Sequence, residues 1–264
     1  MKPVYRWIIR HPRLSRLMIS LVITVFSLLL LNPNLFPFIV RYLAIFMSLY
    51  YGFQYVNTCP ERLIREPLEI LEQQCDPDPF LEEMALMQDF PPDHPQAQIM
   101  RINYAMALRQ VGEYDHVLEI LRELNLEENA YASPLTKLVW YNNLSDVLTK
   151  LERFDEAEHW YEKALSIYHQ LPEGKTKEHF SKTMELAQAE SLFRQRDYAI
   201  ALRKLSRISC RTQRYLMDAA LVAARCHVAL EEYDKAREKL SYIQAHGNKL
   251  HCVKEAETLL ASLP

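Results

Sequence analysis

The sequence predicts an all-α fold, in which an array of helical hairpins follows an N-terminal hairpin of two apolar helices. Three observations predict this fold. A short phrase with helical spacing occurs four times, each copy follows a stretch with its own amphipathic helical pattern, and residues 1–56 contain two apolar runs. Residues 95–264 show none of the alternation that is typical of β-strands.

The repeated phrase has the same layout in each copy. A Tyr or Phe stands three residues before a small or branched apolar residue, and a large apolar residue follows four residues later. In the second copy, Ala157, Tyr161, Ala164 and Leu165 form one apolar stripe of a helix. Four copies of a helix-starting phrase indicate a repeat array. The copies are GEYDHVLEIL at 112–121, LERFDEAEHWYEKAL at 151–165, RDYAIALRKL at 196–205 and EEYDKAREKL at 231–240.

The N-terminal segment has the composition of a membrane anchor. Residues 1–56 carry six Lys or Arg and no Asp or Glu, and Leu17 to Leu31 is uncharged. Asn32-Pro33-Asn34 follows, and then a second apolar run with Arg41 as its only charge. A signal peptide would instead continue through a small-residue cleavage site into a polar chain. We therefore predict two transmembrane helices, about 14–32 and 35–56, joined by a tight turn.

Charge predicts the orientation of this hairpin. Basic residues flank it on both sides and its turn has none, which places both ends in the cytoplasm. The prediction is an integral membrane protein whose hairpin contacts membrane lipid and whose repeat domain is cytoplasmic. The alternative is one span plus an interfacial helix, which puts the repeats outside. Five Cys with irregular spacing and no C-x-x-C motif favour a reducing compartment and argue against this alternative.

Residues 57–94 are predicted to be a helical junction. The stretch from Glu61 to Gln74 has apolar residues at helical spacing, and Pro67 is expected to kink that helix or delay its start. Asp78 is a suitable cap, with Pro79 at the favoured first helical position. The helix that begins there is predicted to end before Pro91-Pro92.

Residues 95–264 are predicted to form the repeat domain, with about four helical hairpins and a C-terminal capping helix. Each helix pair leaves an apolar face that only its neighbours cover. Ser133-Pro134 marks one helix start, because Ser caps a helix and Pro is favoured just inside it. The predicted first helices are Gln96 to Val111, the helix from Ser133-Pro134, Lys177 to Gln195 and Thr212 to Leu230, and the capping helix is Lys249 to Leu263.

Composition and motifs argue against several functions. Four Gly, no two of them close together, supply no loop that could cradle a phosphate. Residues 57–264 carry 25 Lys or Arg and 34 Asp or Glu, and this net charge of 25 − 34 = −9 argues against nucleic acid as a partner. The chain has no nucleophile elbow and no H-E-x-x-H motif. We therefore predict no enzyme activity, no cofactor and no small-molecule substrate.

Two groups of residues have spacings found in metal sites, but neither predicts a site. Glu156 and His159 stand three apart on a helix, as in carboxylate–histidine metal sites, but one copy does not complete a site. His246, His251 and Cys252 are close in sequence. The chain turns at Gly247, however, and a closed zinc site needs four ligands.

The repeats resemble the tetratricopeptide repeat (TPR) family. In that family a small residue of the first helix packs against the second, and a turn with Gly and Tyr precedes an Ala, an aromatic and an Ala. Phe154, Ala157, Tyr161 and Ala164 match this pattern, whereas the turn Gly occurs once, at Gly112. The turn aromatics lie 40, 44 and 35 residues apart rather than a uniform 34. The resemblance covers about 170 residues, 95–264, and implies a TPR-like α-solenoid.

The resemblance also implies where a partner binds. Family members bind partners mainly through exposed residues of the first helix of each hairpin, which line a concave groove. Asn143 matches one position of the family's clamp for a C-terminal carboxylate, but Ile102 and Met106 stand where the clamp needs Lys and Asn. The mixed charge instead predicts a polar peptide or helix as ligand. The predicted groove residues are Met106, Arg109, Asn142, Asp146, Lys150, Glu190, Arg194, Asp218 and Arg225.

The predicted function is a membrane-anchored TPR-type scaffold or adaptor that holds a protein partner at the cytoplasmic face of the membrane. Three alternatives stay open at this point. They are an outward-facing, single-span TPR scaffold for envelope-protein assembly, a structural subunit of a membrane complex, and a hydrolytic or metal-dependent enzyme on a helical solenoid. Trp140 and Trp160 are predicted to pack in the core rather than to anchor a partner.

Overall fold

The computed structural model describes residues 4, 6–8, 11–30, 38–86, 97–129, 132–208 and 212–264, and all regular secondary structure in them is helical. The prediction of an all-α fold is therefore confirmed for these residues. The predicted Asn32-Pro33-Asn34 turn and the predicted stop at Pro91-Pro92 lie outside them. The helices are α1 (Pro12–Leu30), α2 (Phe38–Gln74), α3 (Asp78–Leu86), α4 (Ala97–Val111), α5 (Tyr114–Leu124), α6 (Pro134–Lys150), α7 (Phe154–Gln170), α8 (Lys175–Arg194), α9 (Tyr198–Leu205), α10 (Gln213–Ala229), α11 (Tyr233–His246) and α12 (His251–Ala261).

The chain divides into two compact units. The first contains α1 and α2 as far as Pro67, and the second begins at Leu68 and contains the last turns of α2 together with α3 to α12. α2 is a single helix of 37 residues, where the sequence predicted an end at residue 56 and a new start near Glu61. Pro60 and Pro67 each remove only one helical hydrogen bond, and no Gly accompanies them to end the helix.

No helix in the described part of the chain is long and apolar enough to cross a membrane. The predicted localisation, an integral membrane protein with a cytoplasmic repeat domain, is therefore wrong, and the transmembrane hairpin and its lipid contact are not supported. In α1, the uncharged stretch from Leu17 to Leu30 has 14 residues, whereas a span needs about 20. In α2, Arg41, Gln54 and several Tyr lower the apolar character of the helix before it enters charged sequence.

The array in the second unit is built from four hairpins, α4/α5, α6/α7, α8/α9 and α10/α11, and each second helix begins at the aromatic residue of the repeated phrase. In all four turns, the residue two positions before that aromatic has a positive φ of 58–89°. The next residue donates its N–H to a carbonyl oxygen five residues earlier, at 2.8–3.1 Å. One helix-ending geometry, used four times, confirms the predicted repeats. The positive-φ residues are Gly112, Glu152, Arg196 and Glu231.

The hairpin α6/α7 forms the centre of the apolar core. The Ser133 side chain accepts the N–H of Thr136 at 3.1 Å and Pro134 follows it, which confirms the predicted helix start. Trp140 is 2% exposed, and its indole N–H donates to the carbonyl oxygen of Leu121 at 2.7 Å. Trp160 is partly buried against the same cluster, so both Trp residues pack in the core. The predicted stripe is confirmed as well, because Ala157, Tyr161 and Ala164 are buried and Leu165 is partly buried.

The last helix, α12, closes the array by packing against the first helix of the array, α4. The hydroxyl of Tyr114 donates to the carboxylate of Glu255 on α12. The Tyr114 ring meets the His251 ring edge to face, with 5.4 Å between centroids. Gly112 lies so close to His251 that a Cβ added there would overlap the imidazole. The predicted capping helix therefore contacts both ends of the array, and the concave side becomes an interior.

Candidate functional site

A pocket of about 260 Å³ lies on the concave side of the array. The first helices of all four hairpins, α4, α6, α8 and α10, contribute its walls, as the groove prediction requires. Of the nine predicted groove residues, six line this pocket and three lie outside its lining. The lining residues are Met106, Arg109, Asn142, Asp146, Glu190 and Asp218, and the other three are Lys150, Arg194 and Arg225. Their part in binding a partner stays a prediction.

Arg109 is the centre of an ion-pair network in the wall of the pocket. Its guanidinium donates to Asp146 on α6, with Nη2 and Oδ1 3.1 Å apart, and Nη1 lies 3.4 Å from Oδ2 of Asp218 on α10. All three side chains are at most 13% exposed. Burial opposes the charge of Arg109, but the attraction of Asp146 and Asp218 outweighs burial. The pKa of Arg109 is therefore raised above its ordinary value.

Arg214 extends this network to the end of α2. Its Nη1 lies 3.1 Å from Oδ2 of Asp218, and its Nε lies 2.6 Å from Oε1 of Glu72. Burial opposes the charge of Asp218, but Arg109 and Arg214 together outweigh burial and lower the pKa of Asp218. Asp218 therefore stays ionised although its side chain is only 9% exposed.

A second charged cluster lies where α12 meets the first helices. Lys150 and Arg225 lie 3.4 Å and 3.0 Å from Oε2 of Glu255, and the hydroxyl of Tyr114 donates to Oε1. Burial opposes the charge of Glu255, but Lys150 and Arg225 outweigh burial and lower its pKa to about 2. Two predicted groove residues are thus engaged by the closing helix instead of facing the pocket.

Arg194 is held by the neighbouring hairpin. Its Nη2 and Nε donate to Oε2 of Glu158 at 2.7 Å and 3.0 Å, and its Nη1 donates to Thr149 at 2.9 Å. The Arg194 side chain is 3% exposed. This residue therefore joins α7 to α8 and is not part of the pocket surface.

Sequence reasoning missed several residues that line the pocket. Arg214, Tyr215, His179, Phe180 and Thr183 are among them. Helical spacing carried the signal for two of these, because His179 and Thr183 stand eleven and seven residues before Glu190 on α8. Glu72, which pairs with the lining residue Arg214, comes from a helix outside the repeats, so the repeat pattern gives no indication of it.

The candidate metal residues have other contacts. Glu156 pairs with Arg122 at 3.1 Å, and the His159 ring meets Trp160 edge to face. No group of three or more His, Cys, Asp or Glu in the described part of the chain is placed to hold a metal ion. A larger pocket of about 620 Å³ lies beside α10 and α12, lined by groups that include Phe154, Tyr198 and Arg225.

The family comparison identifies one of the four hairpins. Residues 138–171 match the family model described as tetratricopeptide repeat. The matched stretch contains most of α6 and all of α7, including Trp140 and the buried Tyr161. No curated protein and no solved structure shows significant similarity to the chain. The match supports a protein of the TPR family, whose fold generally binds protein partners.

Glu190 differs from the other carboxylates of this interior. It is 7% exposed and lines the pocket, and among the described residues no hydrogen bond or ion pair is formed by its carboxyl group. Burial and the nearby charge of Asp146 raise the pKa of Glu190 to about 7, although Lys150, Arg109 and Arg194 act in the opposite direction. Glu190 is therefore partly protonated near neutral pH.

Stability is expected to fall between about pH 5 and pH 7 because of Glu190. Its pKa is about 7 in the folded protein and 4.5 ordinarily, so the unfolded chain releases the proton first as the pH rises. The contribution of Glu190 to the free energy of unfolding is complete below pH 4.5 and is lost as the pH rises to 7. The expected decrease over this range is about 2–3 kcal/mol. Urea unfolding of wild type and Glu190→Gln at several pH values measures this difference. Glu185→Gln, an exposed change on α8, should keep the wild-type slope, and an equal slope in Glu190→Gln would contradict the assignment.

Proposed function

We propose that this protein is a TPR-type adaptor that binds an extended or helical segment of a protein partner in the pocket between α4, α6, α8 and α10. Binding, without catalysis, is the activity proposed. The family match supports a protein ligand, and the position of the pocket on the first helices supports the place. The single observation that carries the proposal is that this pocket is open to a ligand while polar groups in its wall lack partners.

These polar groups are Asn143 on α6 and Glu190 on α8. The Nδ2 of Asn143 is buried and has no acceptor within hydrogen-bond distance among the described residues. A buried amide donor without an acceptor is unfavourable, so a ligand carbonyl that accepts its hydrogen bond would stabilise the complex. Leu138, Val139, Phe180 and Met184 line the same pocket and supply apolar contact. A peptide supplies both kinds of group.

The size of the pocket is also compatible with part of a peptide. Sites for drug-sized ligands have about 300–1,000 Å³, and this pocket has about 260 Å³. It therefore suits one side chain and the backbone beside it. The rest of such a segment would lie along the exposed turns at the pocket mouth, near His179 and Thr183.

The test is selection of peptides from a random phage-displayed library on the full-length chain, followed by measurement of their dissociation constants. Thr183 is exposed and lines the pocket, so Thr183→Trp is expected to block the mouth and weaken binding at least about tenfold. Thr176→Trp is the matched control, because Thr176 is an exposed residue of the same helix outside the pocket lining. Failure to select any peptide, or equal binding by both variants, would refute the proposal.

A further inference from the structure

The interior of the array contains one more carboxylate than its ion pairs use. Five cations on the concave side are paired: Arg109 with Asp146 and Asp218, Arg214 with Asp218 and Glu72, Lys150 and Arg225 with Glu255, and Arg194 with Glu158. These five cations share five carboxylates. Glu190 is a sixth, and it takes part in none of these ion pairs of the described residues.

Glu190 is also the carboxylate that the pocket leaves available. It is more than nine-tenths buried, it lines the pocket, and its carboxyl oxygens have no donor in the described structure. Asn143, which lines the same pocket from α6, has a buried amide donor without an acceptor among the described residues. A buried carboxylate is strongly unfavourable unless it is paired or hydrogen-bonded, so a ligand that supplies a partner would favour the ionised form of Glu190.

We propose that the pocket receives a cationic side chain, Lys or Arg, of the bound partner segment, and that Glu190 pairs with it. This inference rests on the proposed function. Arg109 and Arg214, the Arg residues among the lining groups, are each already engaged by two carboxylates, so an anionic ligand would meet no unpaired Lys or Arg in the described lining and would approach Asp146, Asp218 and Glu190. A cation meets the opposite situation, because it can pair with the ionised form of Glu190.

The apolar part of the pocket fits the same ligand. Lys and Arg carry a methylene stem that packs on apolar surface while the charged end reaches a polar partner. Met106, Leu138 and Met184 line the pocket and can cover such a stem. The carbonyl group next to the side chain would accept the Asn143 donor. A free metal ion fits less well, since Glu190 and its surroundings form no group of three ligands within the described structure.

Substitutions in the peptide test this inference without disturbing the protein. In each peptide selected on the wild-type chain, every Lys is replaced by norleucine and every Arg by citrulline, one at a time. We expect one replacement to weaken binding at least about tenfold, the effect of losing a charge-assisted contact. The same replacement should weaken binding to Glu190→Gln less than about twofold, because the pairing is already absent there. Glu190→Asp, which keeps the charge, should bind the parent peptide more tightly than Glu190→Gln.

Three outcomes separate this inference from the function on which it rests. If replacing one peptide cation weakens binding to wild type but not to Glu190→Gln, the inference and the proposed function are both supported. A second outcome is that Thr183→Trp weakens binding of the peptides, but that each Lys or Arg replacement has the same effect on binding to wild type and to Glu190→Gln. This outcome overturns the inference and leaves the proposed function standing. Absence of any selected peptide overturns both. Thermal unfolding of Glu190→Gln, expected no lower than that of wild type, shows that its binding data come from a folded protein.

Discussion

Replacing Arg109 by methionine is expected to lower the free energy of unfolding by about 3–5 kcal/mol. Arg109 balances two buried carboxylates, Asp146 and Asp218, whose side chains are 13% and 9% exposed. Methionine keeps an apolar stem of similar length but removes the Arg109 partner of Asp146, whereas Asp218 keeps Arg214. An uncompensated buried charge costs far more than the loss of a surface pair. Urea unfolding followed by circular dichroism measures the change.

Arg101→Met is the matched control for this substitution. Arg101 lies on the same helix, α4, and pairs with Glu123 at 2.6 Å, but the two side chains are 38% and 58% exposed. Solvent screens such a pair, so its loss is expected to cost less than about 1 kcal/mol. Equal effects of the two substitutions would show that the Arg109 network is not buried as described.

Replacing Trp140 by alanine is expected to cost about 3–5 kcal/mol, the usual result of truncating a fully buried aromatic side chain. Trp140 is 2% exposed and packs with Tyr141 and Trp160 in the core of the matched repeat. Trp140→Phe fills most of the volume but leaves the carbonyl oxygen of Leu121 without its indole donor. This change is expected to cost about 1–3 kcal/mol. Chemical denaturation of both variants gives the two values.

Trp160→Ala provides the comparison for the same core. Trp160 is only partly buried, and Lys163 lies over its ring at 4.5 Å from the centroid. Its truncation is expected to cost less than that of Trp140, because part of the ring already meets solvent. A Trp140→Ala variant as stable as Trp160→Ala would contradict the placement of Trp140 in the core.

The hairpins of this protein were predictable because their signals are local. The aromatic of each phrase starts a helix, and the small residue three positions later must pack at close range. The turn Gly was a poorer guide, since Glu152, Arg196 and Glu231 adopt the same left-handed backbone as Gly112. The hydrogen bonds that end each first helix are evidently sufficient to hold a side-chain-bearing residue there.

The site was less predictable because its contacts join distant parts of the chain. Arg109 and Asp218 are 109 residues apart, and Glu72 and Glu255 come from helices outside the repeated phrase. Repeat position indicates which side chains point to the concave side, and six of nine predicted residues do line the pocket there. It does not indicate that α12 returns to α4. Lys150 and Arg225 therefore turned out to be engaged by Glu255.

The N-terminal prediction failed for a different reason. Apolar composition and basic flanks indicated two spans. The prediction, however, counted apolar residues over stretches that also contain charged positions of each helix. α1 includes Arg13 and Arg16, and α2 continues from Arg41 into the charged sequence that ends at Gln74. Composition measures how apolar a stretch is, whereas a transmembrane span also requires about 20 predominantly apolar residues in succession within one helix.

The closure of the array by α12 is the central claim, because it makes the concave side, where the pocket and Glu190 lie, an interior. The most direct measurement is a double-mutant cycle of Gly112→Ala and His251→Ala, read by urea unfolding, with Gly174→Ala as control. Both glycines have positive φ, but only at Gly112 would a Cβ meet another side chain, that of His251. We expect Gly112→Ala to cost more than Gly174→Ala and to cost at least about 1 kcal/mol less in the His251→Ala background. Equal costs for the two glycines, with no coupling between Gly112 and His251, would contradict the closure.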